Sequence, residues 1–105
     1  MIARVWSGET RAEDGDAYAA YLRRTGVADL RRTEGNVGVL VLRRIEAGVA
    51  RFWVISLWRT MADVRRFAGA DPERAVYYPE DERYLLTLRP IVDHHEVLEA
   101  PLPSP

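Results

Sequence analysis

The chain has 105 residues, 48% of them hydrophobic and 30% charged, which is the profile of one ordinary globular domain. Fifteen arginines against sixteen acidic residues leave a formal net charge of -1, whereas proteins that bind nucleic acid usually carry a basic excess. The absence of cysteine excludes disulfides, thiolate metal sites and thiol catalysis, and no apolar run reaches the ~20 residues of a membrane helix, so we expect a cytoplasmic protein without nucleic-acid or membrane partners.

The first part of the chain predicts a strand followed by a helix. Residues 2–7 are rich in β-branched and aromatic side chains, and Gly8 is expected to end the strand. Thr10 and Glu13 have the spacing of a helix capping box, and Gly26 is expected to stop the helix. A short helical piece is expected to follow it through Val27, Ala28 and Leu30. The apolar stripe of this helix is Ala17, Tyr18, Ala20, Tyr21 and Leu22.

Residues 37–45 and 51–58 predict two strands joined by a tight turn at residues 46–48. The second strand reads RFWVISLW and is apolar on both faces. One face carries Phe52, Val54 and Trp58, and the other carries Trp53, Ile55 and Leu57. Both faces of this strand are therefore expected to be shielded from water.

A second helix is predicted after Thr60, which has an N-cap residue type, and before Gly69. Its apolar side comprises Met61, Val64, Phe67 and Ala68. Asp71 and Pro72 predict a further short turn of helix, residues 80–83 a charged loop, and residues 91–98 the last strand. We expect one domain over residues 1–99 and a proline-rich tail over residues 100–105 that is mobile or lies along a surface.

The element order predicts an α+β, ferredoxin-like βαββαβ fold, with two helices on one face of a four-stranded antiparallel sheet. The other face then lacks a cover. About eight apolar side chains buried there are worth roughly 12–24 kcal/mol, at least as much as a typical net stability of about 5–15 kcal/mol. We therefore predict a symmetric homodimer in which two sheets face each other.

Four segments carry a resemblance to a known family. They are EGN before the second strand, ISLWRTMADVRRFAG from the third strand into the second helix, ERAVYYPED after it, and PIVDHHEVLE at the end. Together they resemble the antibiotic-biosynthesis-monooxygenase-like family of the dimeric α+β-barrel superfamily, over residues 2–99. The resemblance implies a small dimer, with a pocket between each sheet and its own helices.

The resemblance also implies a cofactor-free oxygenation of a small aromatic of the polyphenol or quinol type. A base or hydrogen-bond donor stabilises the substrate as a phenolate or enolate, which passes an electron to oxygen. No metal and no other cofactor is expected. The protein supplies orientation, a dry cavity and a proton acceptor.

His94 and His95 are candidate proton acceptors. They are adjacent in a predicted strand, so their side chains point to opposite faces and cannot hold one ion together. Either is a competent base at neutral pH, because an unperturbed histidine has a pKa near ~6.5. The competing interpretation is a structural histidine hydrogen-bonded within the sheet.

Further candidates lie on the second helix, after it and on the third strand. Tyr77 is a candidate catalytic residue and Tyr78 a candidate for binding substrate, because a buried phenol can donate a hydrogen bond to a substrate oxygen. Phe67, Trp58 and Ser56 complete the predicted substrate-binding set. The competing interpretation of Phe67 and Trp58, as of Trp6 and Trp53, is a core or dimer contact. For Ser56 it is a hydroxyl bonded to the backbone.

Two other functions remain open. One is a non-catalytic dimeric module for small-molecule binding or stress response that holds an apolar ligand in the same cavity. The other is haem handling, since haem-degrading relatives use an asparagine on the first strand, a tryptophan on the second helix and a histidine after it. Here the first strand has no asparagine, the helix position is Phe67, and the histidine position falls near Tyr77.

Overall fold

A computed structural model describes residues 1–101 and shows an α+β fold. Four strands form one sheet, and the helices lie between the first and second strands and between the third and fourth. The elements are β1 Ile2–Arg11, α1 Gly15–Arg24, α2 Gly26–Arg32, β2 Asn36–Glu46, β3 Val49–Trp58, α3 Met61–Ala68, α4 Asp81–Tyr84 and β4 Asp93–Glu96. A single 3-10 turn at Ala12–Asp14 joins β1 to α1.

The sheet is antiparallel throughout, in the order β2-β3-β1-β4. The two central strands are β1 and β3, and each is connected through helices to an edge strand on the far side of its neighbour. This is the ferredoxin-like arrangement. The predicted fold class is confirmed.

The core lies between the sheet and the helices. Alternate residues of β3 are buried on this side, and Phe52, Ser56 and Trp58 are almost inaccessible to solvent. The helices contribute Tyr18, Tyr21, Leu22, Val27, Leu30 and Val64 to the same cluster. Because each buried apolar side chain is worth about 1.5–3 kcal/mol, this layer supplies most of the hydrophobic stabilisation.

The opposite face of the sheet, here called the open face, is also apolar. Its apolar residues are Ala3, Val5, Leu40, Leu42, Trp53, Ile55 and Leu57, which the strand register places on one side. Leu40 and Leu42 are 52% and 45% exposed, and the three β3 residues are half-buried. The helices pack on the other side, so a single chain leaves this surface in contact with water.

One predicted turn and both predicted ends of a helix are confirmed. The β2–β3 hairpin turns at Ala47 and Gly48, which have φ of 52° and 77°, because a two-residue turn with positive φ at both positions matches the twist of the strands. The N-cap of α3 is Thr60, whose Oγ1 accepts a hydrogen bond from the Asp63 backbone N–H at 3.2 Å. Gly69 ends this helix with φ of 89°.

The first strand and helix differ from the prediction. Strand β1 continues past Gly8 to Arg11, and Gly8 makes room for the indole ring of Trp6, because a Cβ there would lie 2.5 Å from two ring atoms. Thr10 is fully buried within the strand and donates its hydroxyl to the Arg11 carbonyl, so it does not cap α1. Helix α1 does end just before Gly26, at Arg24, and the short helical piece predicted to follow is α2, which begins at Gly26.

The C-terminal region also differs. Residues 73–75 pair with residues 90–92, through Ala75 N–H to the Pro90 carbonyl at 2.9 Å and Val92 N–H to the Glu73 carbonyl at 2.8 Å. A hydrogen-bonded turn does begin at Asp71, where the Arg74 N–H donates to the Asp71 carbonyl at 3.2 Å, but the pairing with residues 90–92 follows it in place of further helix. Strand β4 is shorter than predicted, and α4 occupies the predicted charged loop. Of the predicted tail, residues 102–105 lie outside the described residues.

Candidate functional site

A cavity lies between the sheet and the helices, partly open to solvent, with a volume of about 60 Å³. Its wall combines apolar residues with the polar side chains Arg4, Trp6, Tyr18, Tyr77, Tyr78 and Asp81. At roughly 10–15 Å³ per water, it holds about four to six water molecules. It therefore has to widen to take an aromatic ligand, because ligand sites usually measure about 300–1,000 Å³.

One part of the wall is a tryptophan–tyrosine pair. The Trp6 indole N–H donates to the Tyr77 hydroxyl at 3.2 Å, and that hydroxyl donates to the Arg89 carbonyl at 2.5 Å. The two rings meet edge to face, with 6.4 Å between their centroids. Burial raises the pKa of Tyr77, so its phenol stays protonated at neutral pH. Tyr77 is thus fixed in orientation by its neighbours on both sides.

A second part of the wall is centred on Asp81, which is 4% exposed. Its Oδ1 accepts from the Tyr18 hydroxyl at 3.0 Å and its Oδ2 from the Tyr78 backbone N–H at 2.6 Å. Burial raises the pKa of Asp81, and these two hydrogen bonds lower it in part. The result is a carboxylate that is more basic than usual at the cavity wall.

Tyr78 bridges this segment to α2. Its hydroxyl donates to Asp29 Oδ2 at 2.6 Å, and its ring lies beside Gly26, where an added Cβ would be 3.6 Å from a ring carbon. Burial raises the pKa of Tyr78. The ring is half-buried, and a single side-chain hydrogen bond holds it over the junction of α1 and α2.

Arg4 is the buried cation of the wall. It is 4% exposed, donates Nη2 to the Arg74 carbonyl at 3.0 Å and Nη1 to the Pro72 carbonyl, and lies 5.6 Å from the centre of the Phe67 ring. Burial lowers the pKa of Arg4 to about 10. Its Nη1 is 3.4 Å from His94 Nε2, and burial followed by the charge of Arg4 lowers the pKa of that histidine.

Four of the predicted site residues line the cavity. These are Ser56, Phe67, Tyr77 and Tyr78. Trp58 does not reach the cavity surface, because it is fully buried beneath Phe67, with 6.3 Å between the ring centroids. Its indole N–H donates to Ser56 Oγ at 2.9 Å, so Trp58 orients two residues of the wall.

Neither histidine lines the cavity. Strand pairing aligns His94 with Arg4 and His95 with Ala3, so the two side chains point to opposite faces of the sheet, as predicted. His94 lies on the helix side behind Arg4, and His95 is exposed on the open face.

Arg4, Tyr18 and Asp81 are not among the site residues predicted from the sequence, and Trp6 is predicted there to be a core or dimer contact. A usable signal existed for Arg4, because it falls on the core-facing register of an otherwise apolar strand. Asp81 had no such signal, since it lies in a charged segment where most residues are exposed.

Residues 1–101 contain no cluster of three or more histidine, aspartate or glutamate side chains suited to hold a metal ion. The position at which the haem-degrading relatives have their histidine ligand falls near Tyr77 in this chain. The Tyr77 hydroxyl is hydrogen-bonded to Trp6 and to the backbone carbonyl of Arg89. Within the described part of the chain, no helix has the length and apolar character needed to cross a membrane.

Comparison with known proteins supports the fold. No protein-family model matches the chain, and no curated protein matches it. A solved structure from Bacillus cereus, provisionally named an antibiotic biosynthesis monooxygenase, matches with a TM-score of 0.59 over 94% of both chains, at 15% identity. The chain has the fold of that protein. The family resemblance noted in the sequence is thereby confirmed at the level of the fold.

Proposed function

We propose that the protein is a cofactor-independent, monooxygenase-like enzyme that oxidises a small aromatic of the polyphenol or quinol type. The observation that carries this proposal is a cavity whose aromatic wall includes Asp81, a buried carboxylate of raised pKa. A group of this kind is typical of sites that move a proton. The shared fold with the Bacillus cereus protein supports the same activity class.

The proposed chemistry needs a proton acceptor and an aromatic cage. Removal of a proton from the substrate gives an electron-rich anion, which passes an electron to O₂. In an anthrone-type substrate the ring CH₂ group and O₂ become a carbonyl group and water. Asp81 accepts the proton, because each carboxylate oxygen retains acceptor capacity beyond the one bond it makes. Trp6 and Tyr77 hold the ring of the substrate.

His94 is the alternative acceptor. Arg4 stands between it and the cavity, and a guanidinium has no acceptor site through which to pass a proton. The two candidate proton acceptors therefore predict different effects of mutation on the rate of oxygen uptake. We expect Asp81→Asn to lower the rate of oxygen uptake with anthrone by about 10²- to 10⁴-fold, the usual contribution of a general base, and His94→Gln to leave the rate within about twofold.

Asp71→Asn is the matched control, because Asp71 is exposed and lies outside the cavity wall. Circular dichroism on each variant checks that the fold is kept. Equal rates for Asp81→Asn and wild type would remove Asp81 from the mechanism, and a loss confined to His94→Gln would assign the proton transfer to the histidine.

The proposed assembly is a homodimer formed through the open face. Leu42 lies on this face and Val41 on the opposite one, at 45% and 40% exposure, so they form a matched pair. We expect wild type to sediment at twice the 12.0 kDa chain mass, Leu42→Arg to sediment as a single chain, and Val41→Arg to remain paired. A wild-type protein that stays a single chain contradicts this assembly.

One observation favours a binding module as a second candidate. Among residues 1–101, every fully buried side-chain nitrogen or oxygen has at least one hydrogen-bond partner within the protein, so none of these atoms depends on a ligand for its first hydrogen bond. Such a wall suits an apolar ligand that forms no hydrogen bonds with the protein. This candidate predicts saturable quenching of tryptophan fluorescence by anthrone, with no oxygen consumption.

A further inference from the structure

Arg4 has no carboxylate partner in the part of the chain that the structure describes. Nine ion pairs within 4.0 Å join arginines to carboxylates among residues 1–101, and Arg4 takes part in none of them. Its partners are two backbone carbonyls and the neutral ring of His94. The positive charge is therefore buried without an opposite charge beside it. Such an arrangement is costly, and buried charges are ordinarily paired.

The guanidinium also has donors to spare. It carries five N–H groups, and the three contacts above occupy at most three of them, so at least two have no acceptor among residues 1–101. Arg4 itself lines the cavity, and Phe67 beneath it gives a flat aromatic floor. A planar fork with free donors is suited to an anionic oxygen, which it can bind through charge-assisted hydrogen bonds.

The acidic group of the cavity does not neutralise this charge. Asp81 is bonded to Tyr18 and Tyr78, and neither bond is shared with Arg4. The wall thus presents a cation at one place and a proton acceptor at another. A ligand that matches both groups has an anionic oxygen that binds Arg4 and a removable proton near Asp81.

We propose that Arg4 is the anion-binding residue of the cavity, and that the ligand is a small aromatic bearing an anionic oxygen, either a carboxylate or a phenolate. This inference rests on the proposed aromatic ligand but not on turnover, so a binding experiment tests it separately. The anionic oxygen places a negative charge beside the buried guanidinium of Arg4, and the ring of the ligand lies against the aromatic wall.

The probes are 4-nitrobenzoate, 4-nitrophenol and the neutral ether 4-nitroanisole, with affinity measured by calorimetry at neutral pH. We expect at least one anion to bind wild type more tightly than the ether does, and the tighter anion shows whether a carboxylate or a phenolate is preferred. Arg4→Gln is expected to weaken the anion by about 10- to 100-fold, the loss of a charge-assisted contact, and to leave the ether unchanged. Arg65→Gln, at an exposed site on α3, is the control.

Equal affinity for the ether and both anions, or equal weakening of all three by Arg4→Gln, overturns the inference. If Arg4→Gln does not fold, Arg4→Lys keeps the charge but loses the fork, and it has to retain part of the preference for the anion. If no aromatic probe binds, the proposed aromatic ligand fails, and formate tests Arg4 alone. A saturable shift of the Arg4 Nε–H resonance by formate, absent with formamide, supports the inference, and no saturable shift overturns it.

Discussion

The hydrogen bond between Tyr18 and Asp81 gives the sharpest test of the site's electrostatics. Tyr18→Phe removes only the hydroxyl that donates to Asp81 Oδ1 at 3.0 Å, and the two residues are 1% and 4% exposed, so water cannot readily replace the donor. Hydrogen bonds to charged groups contribute about 1.5–3 kcal/mol. We expect the free energy of unfolding to fall by this amount at neutral pH.

The loss of unfolding free energy in Tyr18→Phe should depend on pH. Burial raises the pKa of Asp81 in the folded protein above that of the unfolded chain, and the bond from Tyr18 lowers it in part. The folded state therefore binds the proton more tightly, so the stability linked to Asp81 is greatest below its unfolded pKa of 3.8 and is lost as pH rises through the folded pKa. In Tyr18→Phe the folded pKa rises further. The deficit should shrink at low pH toward about 0.5–1.5 kcal/mol, the value of a neutral hydrogen bond.

Urea unfolding of wild type and of Tyr18→Phe, at about pH 7 and about pH 4, measures how the stability deficit of the variant changes with pH. Groups that titrate equally in the two proteins cancel in this comparison. Tyr84→Phe is the matched control, because Tyr84 packs 5.6 Å from Tyr18 but donates no hydrogen bond from its hydroxyl among residues 1–101. The reasoning is refuted if Tyr18→Phe and Tyr84→Phe are equally stable, or if the deficit of Tyr18→Phe does not change with pH.

Three further predictions concern stability. Gly8→Ala should cost about 1–3 kcal/mol and shift the fluorescence of Trp6, because a Cβ there meets the indole ring; an unchanged spectrum would contradict this. Ala47→Asn should raise the unfolding free energy by up to about 1 kcal/mol, since Asn tolerates the positive φ better, as chemical unfolding can verify. Wild type should lose stability relative to His94→Gln as pH falls below about 6.5, because burial and then Arg4 lower the folded pKa of His94; parallel pH profiles would oppose it.

The fold was predictable because its main signals are local. The β-branched and aromatic run of β3, the cap at Thr60 and the turn at Ala47 and Gly48 each specify a backbone conformation from nearby residues alone. The same reasoning failed where a distant contact decides the outcome. Gly8 has the appearance of a strand end, but it stays within β1 because the Trp6 ring needs its space.

The site was predicted only in part. Tyr77 and Tyr78 were chosen for their residue type and their place after a helix, and the structure places both at the cavity. Arg4 and Asp81 reach it from opposite ends of the chain, and their importance comes from burial that only the assembled fold produces. The histidines show the converse case, in which a reactive residue type lies outside the cavity wall.

Transfer of an oxygen atom from O₂ to a bound aromatic tests the central claim most directly. The measurement is mass spectrometry of the product formed from anthrone under ¹⁸O₂, with chelator-treated protein and no added cofactor. We expect the carbonyl oxygen of the product to carry the heavy isotope, and the rate at which this labelled product forms to depend on Asp81. Saturable binding of anthrone without labelled product would contradict it and assign the cavity to ligand storage.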